Sequence, residues 1–166
     1  MDSHTYENTP YFSLNNQNFL ARLVNVHDGD TITAIIEYPT GTFAKYNIRL
    51  DGIDTAEMTS QDPKQKEHAI MARNLVIKLT TQNELDTKRK YTRNDIIGLL
   101  NQKVYFVYIK CKTMDKYGRV LAELYSTDDL ETSINQKILN LDMAYIYHGG
   151  HKKINLICFY LKNVKN

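Results

Sequence analysis

The sequence lacks features that would place it in a membrane or a secretory pathway. No apolar run approaches the roughly 20 residues that a membrane-spanning helix requires. Residues 1–19 are polar, rich in Asn, Thr and Ser, and contain no basic region followed by an apolar stretch, so no secretory signal is predicted. We therefore expect a cytoplasmic or nuclear protein that does not bind membranes.

Charge of one sign and cysteine are also scarce. The 21 Lys and Arg residues nearly balance the 19 Asp and Glu residues, and a formal net charge of +2 is too small to indicate a nucleic-acid binder by itself. Any such surface would have to come from local clustering. The two cysteines, Cys111 and Cys158, lie far apart without metal-ligand spacing, and we expect two buried thiols.

The 166 residues suit one domain with a hydrophobic core. We expect a flexible leader over residues 1–19 and a single domain over 20–166, with an inserted segment at 80–103. The insert contains a basic run and a short apolar patch, which predict one or two helical turns. No internal repeats or low-complexity tracts are present.

Runs of β-branched and aromatic residues predict five short strands. These runs are 22–27, 31–38, 42–50, 104–110 and 119–125. Asp62 and Pro63 predict the start of a helix after the third strand, since Pro suits the first helical position. Ser133, with Gln136 three residues on, predicts a helix over 134–141. A further helical face is predicted over 154–161. Together these elements indicate an α+β fold, a five-stranded OB-type β-barrel with packed α-helices.

Three charged clusters occur in a fixed order along the chain. Residues 28–31 read Asp-Gly-Asp-Thr, residues 49–57 read Arg-Leu-Asp-Gly-Ile-Asp-Thr-Ala-Glu, and residues 115–119 read Asp-Lys-Tyr-Gly-Arg. Carboxylates of this kind can hold a hard cation such as Ca²⁺ or Mg²⁺ and can activate water, and guanidinium groups bind phosphate. Each cluster alone is also compatible with an ordinary turn or a solvated surface.

The same clusters in the same order resemble the staphylococcal nuclease (thermonuclease, micrococcal nuclease) family, over roughly residues 20–150. The resemblance implies the family's OB-fold barrel and a Ca²⁺ site, with Mg²⁺ or Mn²⁺ as less favoured ions. By this resemblance Asp30 and Asp54 would bind the cation directly and Thr55 would add its backbone carbonyl. Asp28 would lie beside the metal site without binding the ion.

The resemblance also assigns catalytic roles. Arg49 and Arg119 would hold the scissile phosphate, and Glu57 would act as the general base. The family usually has Pro at the position of Ala56. Since Pro fixes φ, Ala56 would leave the loop that places Glu57 less constrained.

Four further positions are assigned to nucleic-acid binding by the resemblance. Lys116 and Tyr117 would contact the terminal phosphate of a bound nucleotide. Tyr145 and Tyr147 would line the base pocket, where aromatic rings stack on any base. The two tyrosines are equally compatible with core or rim positions at the end of the barrel.

Two other groups of residues remain open. The basic run at residues 88–93 could guide a polyanion or could be a solvated loop. His148 and His151 could form a metal pair, although loop histidines without a neighbouring carboxylate are more typical.

The predicted function is a metal-dependent nuclease. It would cleave single-stranded or open DNA and RNA endonucleolytically, with little sequence specificity, and leave 3′-phosphate ends, as the family does. No obligate protein partner is predicted. One alternative is a catalytically silent module of this fold that binds nucleic acid or protein. Another is an OB-type single-strand binder that never was an enzyme.

Overall fold

The computed structural model describes residues 2–149, and within them seven strands and three helices occur. The strands are β1 (Asn18–Val26), β2 (Thr31–Glu37), β3 (Phe43–Leu50), β4 (Ile53–Asp54), β5 (Phe106–Met114), β6 (Val120–Ser126) and β7 (Tyr145–Ile146). The helices are α1 (Pro63–Thr81), α2 (Arg93–Gln102) and α3 (Ile134–Asn140).

Five of these strands close into a barrel in the order β1-β2-β3-β6-β5, with β5 pairing back onto β1. The pairs are antiparallel except for the parallel pair β3–β6. Side chains alternate between the two faces, as in β5, where Val107, Ile109 and Cys111 point into the core. The predicted five-stranded α+β barrel is therefore confirmed. Cys111 is a buried free thiol as predicted, whereas Cys158 lies outside the described residues.

Two details of the strand prediction differ from the structure. β1 begins at Asn18, inside the segment predicted as a leader, and Leu14 before it is fully buried. The sequence also gave no indication of the short pair β4–β7, in which Asp54 lies opposite Tyr145. Strands of two residues carry no periodic pattern, so only the tertiary fold defines them.

Helix α1 begins as the sequence predicts. The Asp62 carboxylate accepts the Lys64 N–H at 2.9 Å, and Pro63 occupies the first helical position. The helix buries Ala72 and Val76 completely. In α3 the Ser133 hydroxyl accepts the Gln136 N–H at 3.2 Å. The helix predicted over 154–161 lies outside the described residues.

The insert contains more helix than predicted. α2 has ten residues, whereas the sequence analysis expected one or two turns. A capping box explains its start, because the Thr92 hydroxyl accepts the Asp95 N–H and the Asp95 carboxylate accepts the Thr92 N–H. Ile96 and Leu100 are buried as α2 packs against β1. Tertiary packing thus stabilises a helix whose sequence periodicity is short. No helix in residues 2–149 is long and apolar enough to cross a membrane.

Candidate active site

The acidic turn between β1 and β2 is held in a tight loop. The Asp28 carboxylate accepts the Asp30 N–H at 3.1 Å. A Cβ atom at Gly29 would lie only 2.8 Å from Ala72 Cβ and from Thr55 Cγ2, so a side chain there would displace the turn. Glycine therefore lets this turn pack directly against α1 and against the loop that follows β4.

Asp30 and Asp54 converge on one guanidinium group. Arg49 Nη1 lies 2.7 Å from Asp30 Oδ2, and Arg49 Nη2 donates to Asp54 Oδ1 at 3.0 Å. The Asp30 contact is a close ion pair without hydrogen-bond alignment. All three residues are buried, with 6%, 2% and 9% of Asp30, Asp54 and Arg49 exposed. The pairing of Thr31 with Arg49 across β2 and β3 brings the separate segments together.

Tyr145 joins this cluster from the other end of the chain. Its hydroxyl lies 2.9 Å from Asp54 Oδ2 and 3.4 Å from the Thr55 carbonyl oxygen, as the β4–β7 pairing requires. Burial, followed by the charges of Asp54, Asp30 and Glu57, raises the pKa of Tyr145 well above its ordinary value. Tyr145 is therefore a neutral hydrogen-bond donor, and Glu57 lies near enough for its charge to reach the ring.

Burial makes the charge of Asp30 costly. Desolvation, together with the nearby charge of Asp28, raises the pKa of Asp30 to about 7, and Arg49 opposes this shift. Burial alone would lower the pKa of Arg49, but Asp30 and Asp54 raise it overall, so the guanidinium stays charged. A second cation at this place would favour the ionised form of Asp30.

The oxygen atoms around Arg49 suit a hard divalent cation. The carboxylates of Asp30 and Asp54 meet there. The Thr55 carbonyl oxygen lies beside Asp54, since the Tyr145 hydroxyl is within hydrogen-bond distance of both the Asp54 carboxylate and this oxygen. Within residues 2–149 no group of three or more His, Cys, Asp or Glu side chains forms a metal site. The donors at this place are all oxygen atoms, which are of the kind that Ca²⁺ and Mg²⁺ prefer and that Zn²⁺ does not.

The predicted general base lies next to this cluster. Glu57 is exposed on the loop after β4, and its backbone carbonyl accepts the Ser60 N–H at 3.1 Å. Ala56, directly before it, is half-buried. Asp54, Thr55 and Glu57 thus belong to one short segment whose first residue is anchored in β4.

The turn between β5 and β6 forms the opposite side of the site. Asp115 Oδ1 accepts the backbone N–H groups of Tyr117 and Arg119, each at 2.9 Å. Asp115 Oδ2 accepts Arg119 Nε at 2.7 Å and contacts Arg119 Nη2 at 2.7 Å. Gly118 has a φ of +78°, which favours glycine at this position. One carboxylate therefore fixes both the turn and the guanidinium.

An aromatic ring in this turn lies close to two cations. Tyr117 is 73% exposed, with Lys116 Nζ 5.1 Å and Arg119 Cζ 5.4 Å from its ring centre. This arrangement offers a flat apolar face and positive charge at the same point. Such a combination suits a ligand with a planar ring and a phosphate group.

A cleft of about 400 Å³ connects the two sides. Arg49, Lys116, Tyr117, Arg119 and Tyr147 all contribute to its lining. The Arg49 Cζ atom lies 5.4 Å from the centre of the Tyr147 ring. Among residues 2–149, those that line the cleft do not include the neighbouring Glu57. His148 also lines the cleft, and its predicted partner, His151, lies outside the described residues.

Comparison with protein-family models gives a match to the staphylococcal nuclease homologues over residues 47–157, which is more than half of the chain. The chain belongs to the staphylococcal nuclease family. Proteins of this family are generally nucleases. A comparison with curated proteins gave no match.

The family match covers the second and third charged clusters together with Tyr145 and Tyr147, but it begins after the acidic turn. The case for Asp28 and Asp30 in this nuclease-family site therefore rests on geometry. The ion pair between Asp30 and Arg49 links the acidic turn to the matched region.

Sequence reasoning gave no role to several residues that shape this nuclease-family site. Asp115 begins the third charged cluster, and its place at the start of a Gly-containing turn could have indicated its structural role. For Gly29 the sequence indicates only that the residue belongs to a turn. Asn135 was missed: its side chain accepts the Leu124 N–H and donates to the Asp51 and Ala122 carbonyls. These contacts fix the loop after β3 to β6 and α3, and no local pattern signals a contact 84 residues apart.

Proposed function

We propose that this chain is a Ca²⁺-dependent nuclease that hydrolyses phosphodiester bonds. The observation that carries the proposal is the placement of Arg49 and Arg119 along one cleft, with the Asp30 and Asp54 carboxylates on the far side of Arg49. Two guanidinium groups can bind the same phosphate and remain charged at any working pH. This arrangement suits a phosphorus centre whose negative charge grows during attack.

Each remaining group has a proposed role that the family resemblance suggests and its position supports. Asp30, Asp54 and the Thr55 carbonyl would hold Ca²⁺, and Asp28 would keep the turn in shape through its bond to the Asp30 N–H. When bound, the ion would neutralise phosphate charge and orient water. Glu57 would accept the proton of that water, as an exposed carboxylate on the segment carrying Asp54.

The cleft also supports a proposal for the substrate. Lys116 and Tyr117 would contact a terminal phosphate, and Tyr145 and Tyr147 would border the base. Because aromatic stacking tolerates every base, we propose cleavage of single-stranded or open DNA and RNA with little sequence specificity. By family resemblance, cleavage would be endonucleolytic and would leave 3′-phosphate ends.

The test is cleavage of denatured DNA with Ca²⁺, with and without a chelator. We expect chelator-sensitive cleavage by the wild type and a loss on the order of 10²-fold or more in Glu57→Gln. Glu131→Gln, which changes an exposed carboxylate elsewhere, is the matched control and should retain wild-type activity. Chelator-resistant cleavage, or full activity of Glu57→Gln, would refute the proposal. Phosphatase treatment of end-labelled products identifies the 3′-phosphate.

Two features favour a catalytically silent binding module as the second candidate. A single guanidinium already pairs with both candidate metal ligands, and Ala56 replaces the Pro that the family usually has. This candidate predicts that the chain binds single strands with the same affinity with Ca²⁺ and with a chelator. It also predicts that no product forms under either condition.

A further inference from the structure

We propose that residues 86–93 of the insert, here called the basic segment, form a second phosphate-binding surface for single-stranded nucleic acid outside the cleft. The proposal rests on the proposed function for the identity of the ligand. It adds a second contact that only a long strand can reach while its scissile phosphate occupies the cleft.

Buried side chains of α1 fix the backbone of the basic segment. Asn74, which is fully buried, donates to the carbonyls of Thr87 at 2.9 Å and Arg89 at 2.8 Å. Arg73, which is 5% exposed, donates to the Tyr91 carbonyl at 2.9 Å. Buried polar groups of this kind are costly unless they are paired, so these bonds define the path of the segment. The side chains between them point outward from a fixed support.

The cations of the basic segment are exposed and form no ion pair in the described part of the chain, although the charge of Arg89 reaches Asp95. Lys88, Arg89, Lys90 and Arg93 are exposed, and none of them forms an ion pair within residues 2–149. Other cations do have such partners, as in Lys112 with Asp51 at 2.8 Å. The positive charge of the basic segment is therefore available to an external anion.

The nearby carboxylates already accept hydrogen bonds from backbone N–H groups. Asp86 accepts the Lys88 N–H at 2.9 Å, and Asp95 accepts the Thr92 N–H at 2.7 Å within the capping box. Over residues 86–95 four cations stand against two carboxylates, which leaves a net positive charge. Local clustering of this kind supplies the binding surface that the overall charge of the chain does not.

The α1 residues that hold the basic segment lie next to the acidic turn of the candidate active site. Ala72 of α1 packs against Gly29 of the acidic turn, and Arg73 and Asn74, which hold the segment, follow Ala72 directly. α2, which begins at the end of the segment, packs against β1, the strand leading into the acidic turn. A strand leaving the cleft past the acidic turn would therefore meet these cations.

The experiment measures binding of fluorescent oligo-dT of 20 and of 3 nucleotides in chelator, where metal-dependent cleavage is absent. For the 20-mer, we expect Lys88→Gln/Lys90→Gln to reduce the slope of log K against log salt by about 1.4, since each single-strand phosphate contact contributes about 0.7. Neutralising Arg89 and Arg93 as well should roughly double that reduction. Binding of the 3-mer should not change.

The matched control is Lys45→Gln/Lys66→Gln, which removes two exposed cations from β3 and α1. Its slope should equal that of the wild type, and circular dichroism verifies that all variants are folded. An unchanged 20-mer slope in Lys88→Gln/Lys90→Gln, or an equal loss in the control, would overturn the proposal. If the wild type binds the 20-mer and the slopes differ as expected, but the wild type does not cleave DNA with Ca²⁺, the nuclease activity is refuted. The second surface is then supported. A wild type that binds no 20-mer in chelator would overturn the second surface, while cleavage with Ca²⁺ decides the nuclease activity separately.

Discussion

The two arginines of the cleft are held by carboxylates in opposite ways. Arg49 is buried and pairs with Asp30, which the β2–β3 pairing brings to it, and with Asp54, five residues later in the chain. Arg119 is half-buried and pairs with Asp115, four residues earlier in the same turn. The first arrangement is a buried one that combines a strand pair with the loop after β3, whereas the second depends on one partly exposed hairpin turn.

This difference separates the structural contribution of each arginine from its proposed chemistry. Removing Arg49 would leave two carboxylates without their cation in a poorly solvated place. Removing Arg119 would leave one carboxylate that still accepts two backbone N–H groups in a turn near solvent. Arg49 should therefore matter for both folding and turnover, and Arg119 mainly for turnover.

The largest expected effect is that of Arg49→Ala. We expect a loss of about 3–5 kcal/mol in the free energy of unfolding at pH 8, because breaking a buried ion pair leaves uncompensated charge. Activity should fall by at least about 10²–10³-fold.

Urea unfolding of Arg49→Ala and of the wild type at pH 8 and pH 6 measures the stability loss. The folded-state pKa of Asp30, about 7, is above its unfolded value, so the folded state takes up a proton as the pH falls. The stability loss should therefore be smaller at pH 6.

Adding Asp54→Asn to Arg49→Ala gives the control for this effect. The double variant should recover part of the lost stability, since one of the uncompensated charges is gone. If the free energy of unfolding of Arg49→Ala lies within about 1 kcal/mol of the wild-type value at pH 8, the ion pair behaves as an exposed one. The contrast with Arg119 then disappears.

The next effect is that of Arg119→Ala. Activity should fall by about 10²–10³-fold, as expected when one phosphate donor is lost. The free energy of unfolding should change by no more than about 1 kcal/mol, because the Asp115 pair is local and partly solvated. Steady-state kinetics and urea unfolding of the same preparation measure both quantities. A stability loss as large as that of Arg49→Ala would contradict the assignment.

A smaller effect concerns the pH dependence of Ca²⁺ binding. The cation would require ionised Asp30, and this group gains its charge as the pH rises through about 7. The apparent affinity for Ca²⁺ should therefore be about tenfold weaker at pH 6 than at pH 8. Calorimetric titration at the two pH values checks this, with Asp30→Asn as the control that binds weakly at both. Equal wild-type affinities would remove Asp30 from the proposed site.

The smallest effect is that of Tyr145→Phe. It removes the hydroxyl that bonds Asp54 and should lower the free energy of unfolding by about 1 kcal/mol. Tyr117→Phe is the control, because that ring is exposed and its hydroxyl makes no hydrogen bond within residues 2–149. Thermal unfolding of the two variants measures the difference. Identical unfolding curves would show that the hydroxyl of Tyr145 is dispensable.

The same contrast explains how much the sequence could predict. The start of α1 at Asp62 and Pro63 follows from local chemistry, and the barrel strands follow from their apolar and β-branched runs. The turn holding Arg119 also follows from sequence, because its partner is four residues away. Family resemblance indicated the site residues, but no local rule places Asp30 against Arg49.

The remaining features depend on contacts between distant segments. The β4–β7 pair, which brings Tyr145 to Asp54, consists of two residues on each side and has no sequence signature. The length of α2 was underestimated because the Thr92–Asp95 capping box was overlooked and because its burial against β1 is a tertiary effect. Asn135 acts across 84 residues, which only the closed barrel defines.

The central claim is that Asp30 and Asp54 bind one divalent ion while both arginines face the scissile phosphate. A crystal structure with Ca²⁺ and a nucleoside 3′,5′-bisphosphate tests it most directly. We predict one Ca²⁺ at about 2.3–2.6 Å from oxygens of Asp30, Asp54 and Thr55, with Arg49 and Arg119 bonded to the same phosphate. A phosphate in the cleft with Arg49 still bridging both carboxylates, and Ca²⁺ bound elsewhere, would contradict it.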